Sequence, residues 1–141
     1  MISVCTHNQS NISIKKKSIS DLINSIFSAN DILSGKLDII ITDDENLRKM
    51  KKEYFNQNLY TDVIAFHIED DPFEAEIYIS HDRVQYNAKK YKQSFQCEFK
   101  RVVIHGVLHL CGFDDKSEEE KLKMRSMEDD YLLKFKDQIL A

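Results

Sequence analysis

The stretch VVIHGVLHLCGFDD, residues 102–115, carries most of the information about how this chain is built. Apolar residues fill nearly every position from 102 to 111, and a helix that is apolar all round is buried in a core. Two histidines, His105 and His109, interrupt that pattern. Their i, i+4 spacing places both imidazoles on one face of a helix. We therefore predict a buried helix over about residues 94–111 that carries a histidine pair.

The glycines of this stretch predict how the helix ends and what lies beside it. The chain has only three glycines, and Gly106 and Gly112 are two of them. Gly112 stands where a helix C′ residue takes the left-handed conformation, so its turn should bring one of residues 113–115 back over the histidine face. Gly106 in mid-helix costs about 1 kcal/mol against alanine. A closely packed strand or a metal-bound ligand would explain it.

A metal site is the main functional prediction from these residues. Buried imidazoles need polar partners, and one metal ion would satisfy both. With Asp115 the spacing becomes H-x3-H-x5-D, so His105, His109 and Asp115 are the predicted metal ligands and catalytic centre. Three protein ligands leave tetrahedral Zn²⁺ a fourth position for water, as in catalytic zinc sites. The alternatives are the facial triad of Fe(II) enzymes and an ordinary pair of core histidines.

Hydrophobic periodicity predicts the other elements. We expect strands at residues 2–7, 37–42, 61–68 and 75–80, the last two being neighbours separated by an acidic loop with Pro72. We expect helices at residues 18–30, 43–54, 80–91, 94–111 and 117–135. The predicted fold class is α+β, a single domain with a mostly four-stranded mixed sheet and about five helices around one metal site.

Four of these helices have candidate N-terminal caps. Ser18 or Ser20 could cap the first helix, and Asp43 or Asp44 the second. Ser80 precedes the third. For the last helix, Ser117 and Glu120 have the spacing of a capping box.

The composition of the chain excludes several classes of protein. The chain has 141 residues and is 42% hydrophobic and 31% charged, as expected of one soluble domain. No apolar run approaches the roughly 20 residues needed to cross a bilayer, and the first residues lack the apolar segment of a secretory signal. Three cysteines without a CxxC motif suggest reduced thiols in the cytoplasm. We expect neither a membrane nor DNA as partner, since the net charge is −4.

The run HGVLHLCGFDD, residues 105–115, resembles the signature of the YbeY family of bacterial endoribonucleases, usually H-G-x-L-H-L-x-G-[FY]-D-H. The segment YTDVIAF, residues 60–66, is similar to the family's P-T-D-V-L-S-F segment. EIYIS, residues 76–80, is similar to its G-D-I-x-I-S strand. These likenesses cover roughly residues 37–130 in family order, and Glu98 and Glu128 also fall near family positions.

The resemblance implies one metal-dependent hydrolase domain over residues 1–141 that cleaves single-stranded RNA. It implies one Zn²⁺ per chain, held by His105, His109 and Asp115. The implied partners are ribosomal RNA and the small ribosomal subunit. The implied roles are maturation of the 3′ end of small-subunit rRNA and ribosome quality control.

Three departures from the family pattern affect the details. Asp115 stands where the family usually has a third histidine, Phe55 stands at the position of a family arginine, and Ala75-Glu76 replaces a Gly-Asp pair. The basic run at residues 48–52 reads as a solvated helix face, although its lysines could guide an RNA strand. Two other functions stay open. One is a zincin-type metallopeptidase, although Gly106 occupies the position of the HExxH glutamate; the other is a non-catalytic, zinc-stabilised ribosome-assembly factor.

Overall fold

Four strands form one mixed sheet. The computed structural model describes residues 1–141, and its strands are β1 (Ile2–Asn8), β2 (Gly35–Thr42), β3 (Val63–Asp70) and β4 (Phe73–Ser80). Their order across the sheet is β1-β2-β4-β3. Strand β2 is parallel to β1 and to β4, whereas β3 is antiparallel to β4. The predicted four-stranded mixed sheet is confirmed.

Five helices complete the α+β fold that the sequence predicted. They are α1 (Lys16–Ala29), α2 (Asp44–Phe55), α3 (His81–Lys90), α4 (Phe95–Leu110) and α5 (Glu118–Lys134). Helices α1, α3 and α5 all contact α4, which also lies against β3 and β4. The burial predicted for α4 is therefore confirmed. None of the helices is long and apolar enough to cross a membrane.

Side-chain caps fix the starts of most helices where the sequence predicted them. The Asp43 carboxylate accepts a hydrogen bond from the backbone of Asn46, and the Ser80 hydroxyl accepts one from the backbone of Arg83. Ser117 and Glu120 form the complete capping box. These contacts satisfy backbone N–H groups that have no partner within the helix.

The start of α1 differs from the prediction. The helix begins at Lys16, before either candidate serine, and Lys15 at the N-cap makes no side-chain cap. A contact with the end of the chain explains the shift: the Lys15 N–H donates to the Ile139 carbonyl, and Ile14 forms a bridge with Leu140. Tertiary pairing, rather than a serine cap, determines where α1 starts.

The hairpin between β3 and β4 is also tighter than predicted. We expected an acidic loop between residues 68 and 75, but pairing extends to Asp70 and Phe73, so only Asp71 and Pro72 lie between the strands. Phe73 is buried, and its ring lies 5.3 Å from the Phe27 ring, centroid to centroid. Burial of this ring draws the acidic segment into the sheet while the neighbouring carboxylates stay exposed.

Gly106 lets α4 approach the sheet closely. A Cβ at this position would lie 3.2 Å from Cδ1 of Ile77 and 3.3 Å from Cγ2 of Val63, tighter than usual carbon contacts. The close neighbour predicted for this mid-helix glycine is therefore a pair of strands, β3 and β4. This approach sets the height of the histidine pair above the sheet.

Enlarging Gly106 should destabilise the fold. We expect Gly106→Val to lower the free energy of unfolding by about 1–3 kcal/mol, because the added methyl groups overpack the contact with Ile77 and Val63. Ser126→Val adds the same side chain at an exposed position of α5 and should change stability by no more than about 0.5 kcal/mol. Urea unfolding followed by circular dichroism measures both. Equal stability of the two variants would contradict a close contact between α4 and the strands at Gly106.

Candidate metal centre

The two histidines of α4 face each other on a partly exposed side of an otherwise buried helix. Nε2 of His109 lies 3.0 Å from Nε2 of His105, and the ring centroids are 4.5 Å apart. About a quarter of each side chain is exposed, 25% for His105 and 27% for His109. The i, i+4 spacing therefore brings two nitrogen lone pairs to one partly accessible point.

The turn after α4 adds a carboxylate to this point. Gly112 has a φ of +99°, its N–H donates to the His109 carbonyl, and the N–H of Phe113 donates to the Leu108 carbonyl. These two bonds form a Schellman motif, which reverses the chain at the end of a helix. Asp115 Oδ2 consequently lies 3.3 Å from Nε2 of His105 and 3.5 Å from Nε2 of His109.

The three donor atoms have the chemistry and spacing of a metal site. Two imidazole nitrogens and one carboxylate oxygen converge from His105, His109 and Asp115. A tetrahedral ion with bonds of about 2.0–2.1 Å holds its ligands roughly 3.3 Å apart. The observed separations of 3.0, 3.3 and 3.5 Å bracket that value. The cluster could therefore hold a metal ion, whereas Asp114 points no donor into it.

Glu128 of α5 fixes the orientation of His105. Its Oε2 lies 2.6 Å from Nδ1 of His105, and the side chain is buried. An Nδ1–H that donates to this carboxylate leaves Nε2 as an acceptor directed at the cluster, the arrangement typical of metal-binding histidines. Burial alone would lower the pKa of His105, but the hydrogen bond and charge of Glu128 outweigh it and raise that pKa.

Arg101 holds Glu128 in turn. One terminal nitrogen of its guanidinium donates to Glu128 Oε1 at 2.9 Å, and the other donates to Asp129 Oδ1 at 2.6 Å. A buried carboxylate is stable only when it is paired, and here it has an arginine on one oxygen and an imidazole on the other. The chain Arg101–Glu128–His105 makes the position of the imidazole depend on the packing of α5 against α4.

A cavity of about 470 Å³ opens beside His105. Burial raises the pKa of two carboxyl groups in its wall, Asp62 and Glu98, above their usual range. The amide of Asn87 donates to Oδ2 of Asp62 at 3.3 Å. The charged residues that line the cavity come from several elements: Asp62, Glu98, Arg101, Asp115, Lys121, Arg125 and Glu128. The cavity therefore offers both proton-exchanging groups and cations next to the cluster.

Several of these residues had no role assigned from the sequence. Glu128 and Asp62 lie far from residues 105–115 along the chain, and only folding brings them to His105. One signal could have identified Glu128. It shares a face of α5 with Met124, four residues earlier, and both are buried, so an acidic residue on a core-facing stripe requires a charged partner.

Of the three departures from the family pattern, Asp115 belongs to the cluster, whereas Phe55 and Ala75-Glu76 lie outside it. Phe55 ends α2, half-exposed, and its ring stacks on Phe66 at 5.9 Å between centroids, with Nζ of Lys51 lying 4.7 Å from the Phe55 centroid. Ala75 is buried, and the Glu76 carboxylate accepts a hydrogen bond from the Tyr78 hydroxyl. The position of the family arginine is thus occupied by an uncharged ring, and the nearby positive charge is that of Lys51.

The charge of Glu128 should control the titration of His105. Because folding raises the pKa of His105 above its ordinary value, protonated His105 stabilises the metal-free fold at low pH. That contribution is lost as the pH rises through the folded value. We expect Glu128→Gln to lower the pKa of His105 in metal-free protein, measured by NMR titration of the imidazole.

Asp129→Asn is the matched control for this titration. Asp129 bonds the same arginine as Glu128 but does not touch His105, so its replacement should leave the His105 titration nearly unchanged. A pKa that moved equally in both variants would mean that Arg101, rather than Glu128, determines the charge of His105.

Comparison with known proteins agrees with this geometry. A model of the family described as Endoribonuclease YbeY matches residues 4–136. The Endoribonuclease YbeY of Flavobacterium psychrophilum is 41% identical over 114 residues, which cover 80% of this chain and 81% of that protein. The protein of the same name from Flavobacterium johnsoniae is 36% identical over 121 residues, 85% of this chain and 87% of the relative.

A solved structure supports the fold alone. The solution structure of a Thermotoga maritima protein superimposes with a TM-score of 0.63 at 24% identity, covering 96% of this chain and 92% of that one. The family model covers most of the sequence, including residues 105–115, and the two Flavobacterium relatives match 80% and 85% of the chain. The chain belongs to the YbeY family of endoribonucleases.

Proposed function

We propose that this protein is a zinc-dependent endoribonuclease that cleaves single-stranded ribosomal RNA. The observation that carries the proposal is the convergence of three donor atoms, from His105, His109 and Asp115, at the edge of a charged cavity. Membership of an endoribonuclease family supplies the reaction class. Two imidazoles and a carboxylate are ligands that suit Zn²⁺.

The ligand set determines what the ion contributes. Zinc held by His105, His109 and Asp115 would polarise a phosphate oxygen and make a water molecule more acidic. A carboxylate as third ligand leaves the site one positive charge lower than a third histidine would. Glu128 keeps Nε2 of His105 free for the ion, because the Nδ1 proton is held at 2.6 Å by its carboxylate.

Other residues of the cavity handle protons and phosphate in this proposal. Asp62 and Glu98 have raised pKa values because they are buried, so each can exchange a proton closer to neutral pH than an exposed carboxyl group. Arg125 lies exposed at the wall without a carboxylate partner. Arg125 and the exposed Lys121 are the cations of the cavity available to bind a phosphate, since Arg101 is engaged by Glu128 and Asp129.

The wider role follows the family resemblance. We propose that residues 1–141 act as one hydrolase domain in the maturation of the 3′ end of small-subunit rRNA and in ribosome quality control. The small ribosomal subunit would then be its partner. A cytoplasmic location belongs to the same proposal and fits three cysteines that form no disulfide. A peptidase is disfavoured, because Gly106 packs on β3 and β4 where HExxH enzymes have their general base.

Metal content tests the ligand set. Purified protein should hold about one zinc per chain, and His109→Ala should lose most of it because two ligands seldom retain the ion. His7→Ala, which changes an exposed histidine of β1, is the control and should keep its zinc. Elemental analysis after dialysis measures both variants. Undiminished zinc in His109→Ala would refute the assignment.

The two adjacent aspartates test the turn and the activity together. Asp115→Ala should lose zinc and slow cleavage of an rRNA precursor by about 100-fold or more. Asp114→Ala should retain both, because Asp114 is exposed and outside the cluster. Labelled precursor and casein are incubated separately with each protein, with and without chelator. Casein cleavage would favour the peptidase, and full RNA cleavage by Asp115→Ala would favour a role for zinc in stability alone.

A further inference from the structure

Two arginines and two tyrosines form an alternating cluster on the surface beside the cavity. We call Arg48, Tyr60, Arg83 and Tyr86 the arginine–tyrosine ladder. The guanidinium carbon of Arg83 lies 4.8 Å from the Tyr60 ring centroid and 4.7 Å from that of Tyr86. The guanidinium carbon of Arg48 lies 5.5 Å from the Tyr60 centroid. Each distance is within the range of a cation–π contact.

Carboxylates of α2 hold the ladder in place. Asp44 accepts a hydrogen bond from Arg83 at 3.0 Å, while Glu45 accepts one from Arg48 at 2.9 Å and another from the Tyr60 hydroxyl at 3.0 Å. These contacts orient the guanidinium groups and one ring before any ligand arrives. Preorganised side chains lose little conformational entropy on binding.

The rings themselves remain open. Tyr60 is 47% exposed and Tyr86 is 55% exposed. The hydroxyl of Tyr86 has no hydrogen-bond partner in the protein, so neither burial nor hydrogen bonding explains why an aromatic residue stands there. An exposed aromatic ring beside an oriented guanidinium offers a flat surface to another planar group.

The ladder is adjacent along the chain to residues of the cavity wall. Tyr60 precedes Asp62 by two residues, and Tyr86 immediately precedes Asn87. Asn87 and Asp62 are hydrogen-bonded to each other, and both line the cavity that contains His105. Two short sequence steps therefore connect the ladder to the cavity wall.

Two basic runs flank the ladder, whose own arginines are paired with Asp44 and Glu45. The basic run at residues 48–52 belongs to α2, which carries one end of the ladder, and a second run at residues 89–92 follows Tyr86 on α3 and the turn after it. The protein as a whole has a net charge of −4, so this concentration of lysine and arginine is local. Basic surface of this kind attracts the phosphates of a nucleic acid.

We propose that the arginine–tyrosine ladder is a base-stacking subsite for single-stranded RNA next to the cavity. Aromatic rings and guanidinium planes stack on any base, because every base has a π-face, so the subsite binds without reading sequence. Paired bases in a duplex keep their faces covered. The subsite therefore selects unpaired RNA. The subsite rests on the proposed function for the cleavage of the bound RNA. The binding of RNA to the subsite does not depend on that function.

Binding of RNA to the full-length protein tests the subsite without relying on catalysis. Fluorescence anisotropy is measured with a labelled, unstructured RNA of adenosine and cytidine and with the matched duplex, both in EDTA so that no cleavage occurs. Tyr86→Ala should weaken binding of the single strand by about tenfold, the loss of one stacked base. The duplex should lose less than about twofold, and Tyr86→Phe should bind the single strand like the wild type.

Tyr54→Ala is the matched control. Tyr54 is an exposed tyrosine of the basic helix α2, but its ring contacts Phe66 and no guanidinium lies over it. It should leave both affinities unchanged. Absence of single-strand binding by the wild type, unchanged binding by Tyr86→Ala, an equal loss for duplex, or the same loss with Tyr54→Ala would each overturn the subsite.

Adding zinc afterwards separates this inference from the proposed function. RNA that is bound through Tyr86 but never cleaved would refute the endoribonuclease and leave the stacking subsite standing. RNA that is cleaved while Tyr86→Ala keeps its full affinity would refute the subsite and leave the endoribonuclease standing.

Discussion

The hydrogen bond between His105 and Glu128 is the interaction on which the rest of the site depends. It joins α4 to α5 at 2.6 Å between Nδ1 and Oε2, inside a region where an unpaired imidazole or carboxylate would be strongly unfavourable. Because Arg101 donates a hydrogen bond to the other oxygen of Glu128, the imidazole of His105 is held by two consecutive charged hydrogen bonds. The donor atom of the metal cluster therefore has its direction set before any ion binds.

The sheet determines where the hydrogen-bonded series Arg101–Glu128–His105 lies. Because Gly106 has no side chain, α4 can pack closely on β3 and β4. A Cβ atom at this position would lie only 3.2–3.3 Å from carbon atoms of the two strands. Since β3 begins at Val63, the same approach brings the preceding Asp62 into the cavity wall beside His105. The apolar packing of α4 against the sheet thus determines where the polar groups Asp62 and His105 lie.

Charge is divided between the cavity and its surroundings. Carboxylates dominate the wall near the cluster, where they orient ligands and exchange protons, and an RNA phosphate entering there needs a metal ion or a free arginine to offset them. The basic runs and the arginine–tyrosine ladder lie outside, where they can attract the polyanion first. A net charge of −4 is therefore compatible with binding nucleic acid.

Local sequence determined the features that depend on neighbours along the chain. The periodicity of α4, the histidine pair, the Gly112 turn and the capping box at Ser117 all formed as predicted, because each needs contacts only within a few residues. Strand order, the start of α1 at Lys16, the tight hairpin and the meeting of Glu128 with His105 did not follow from the sequence. These depend on contacts between segments far apart in the chain, whose energies are decided only when the apolar faces pack together.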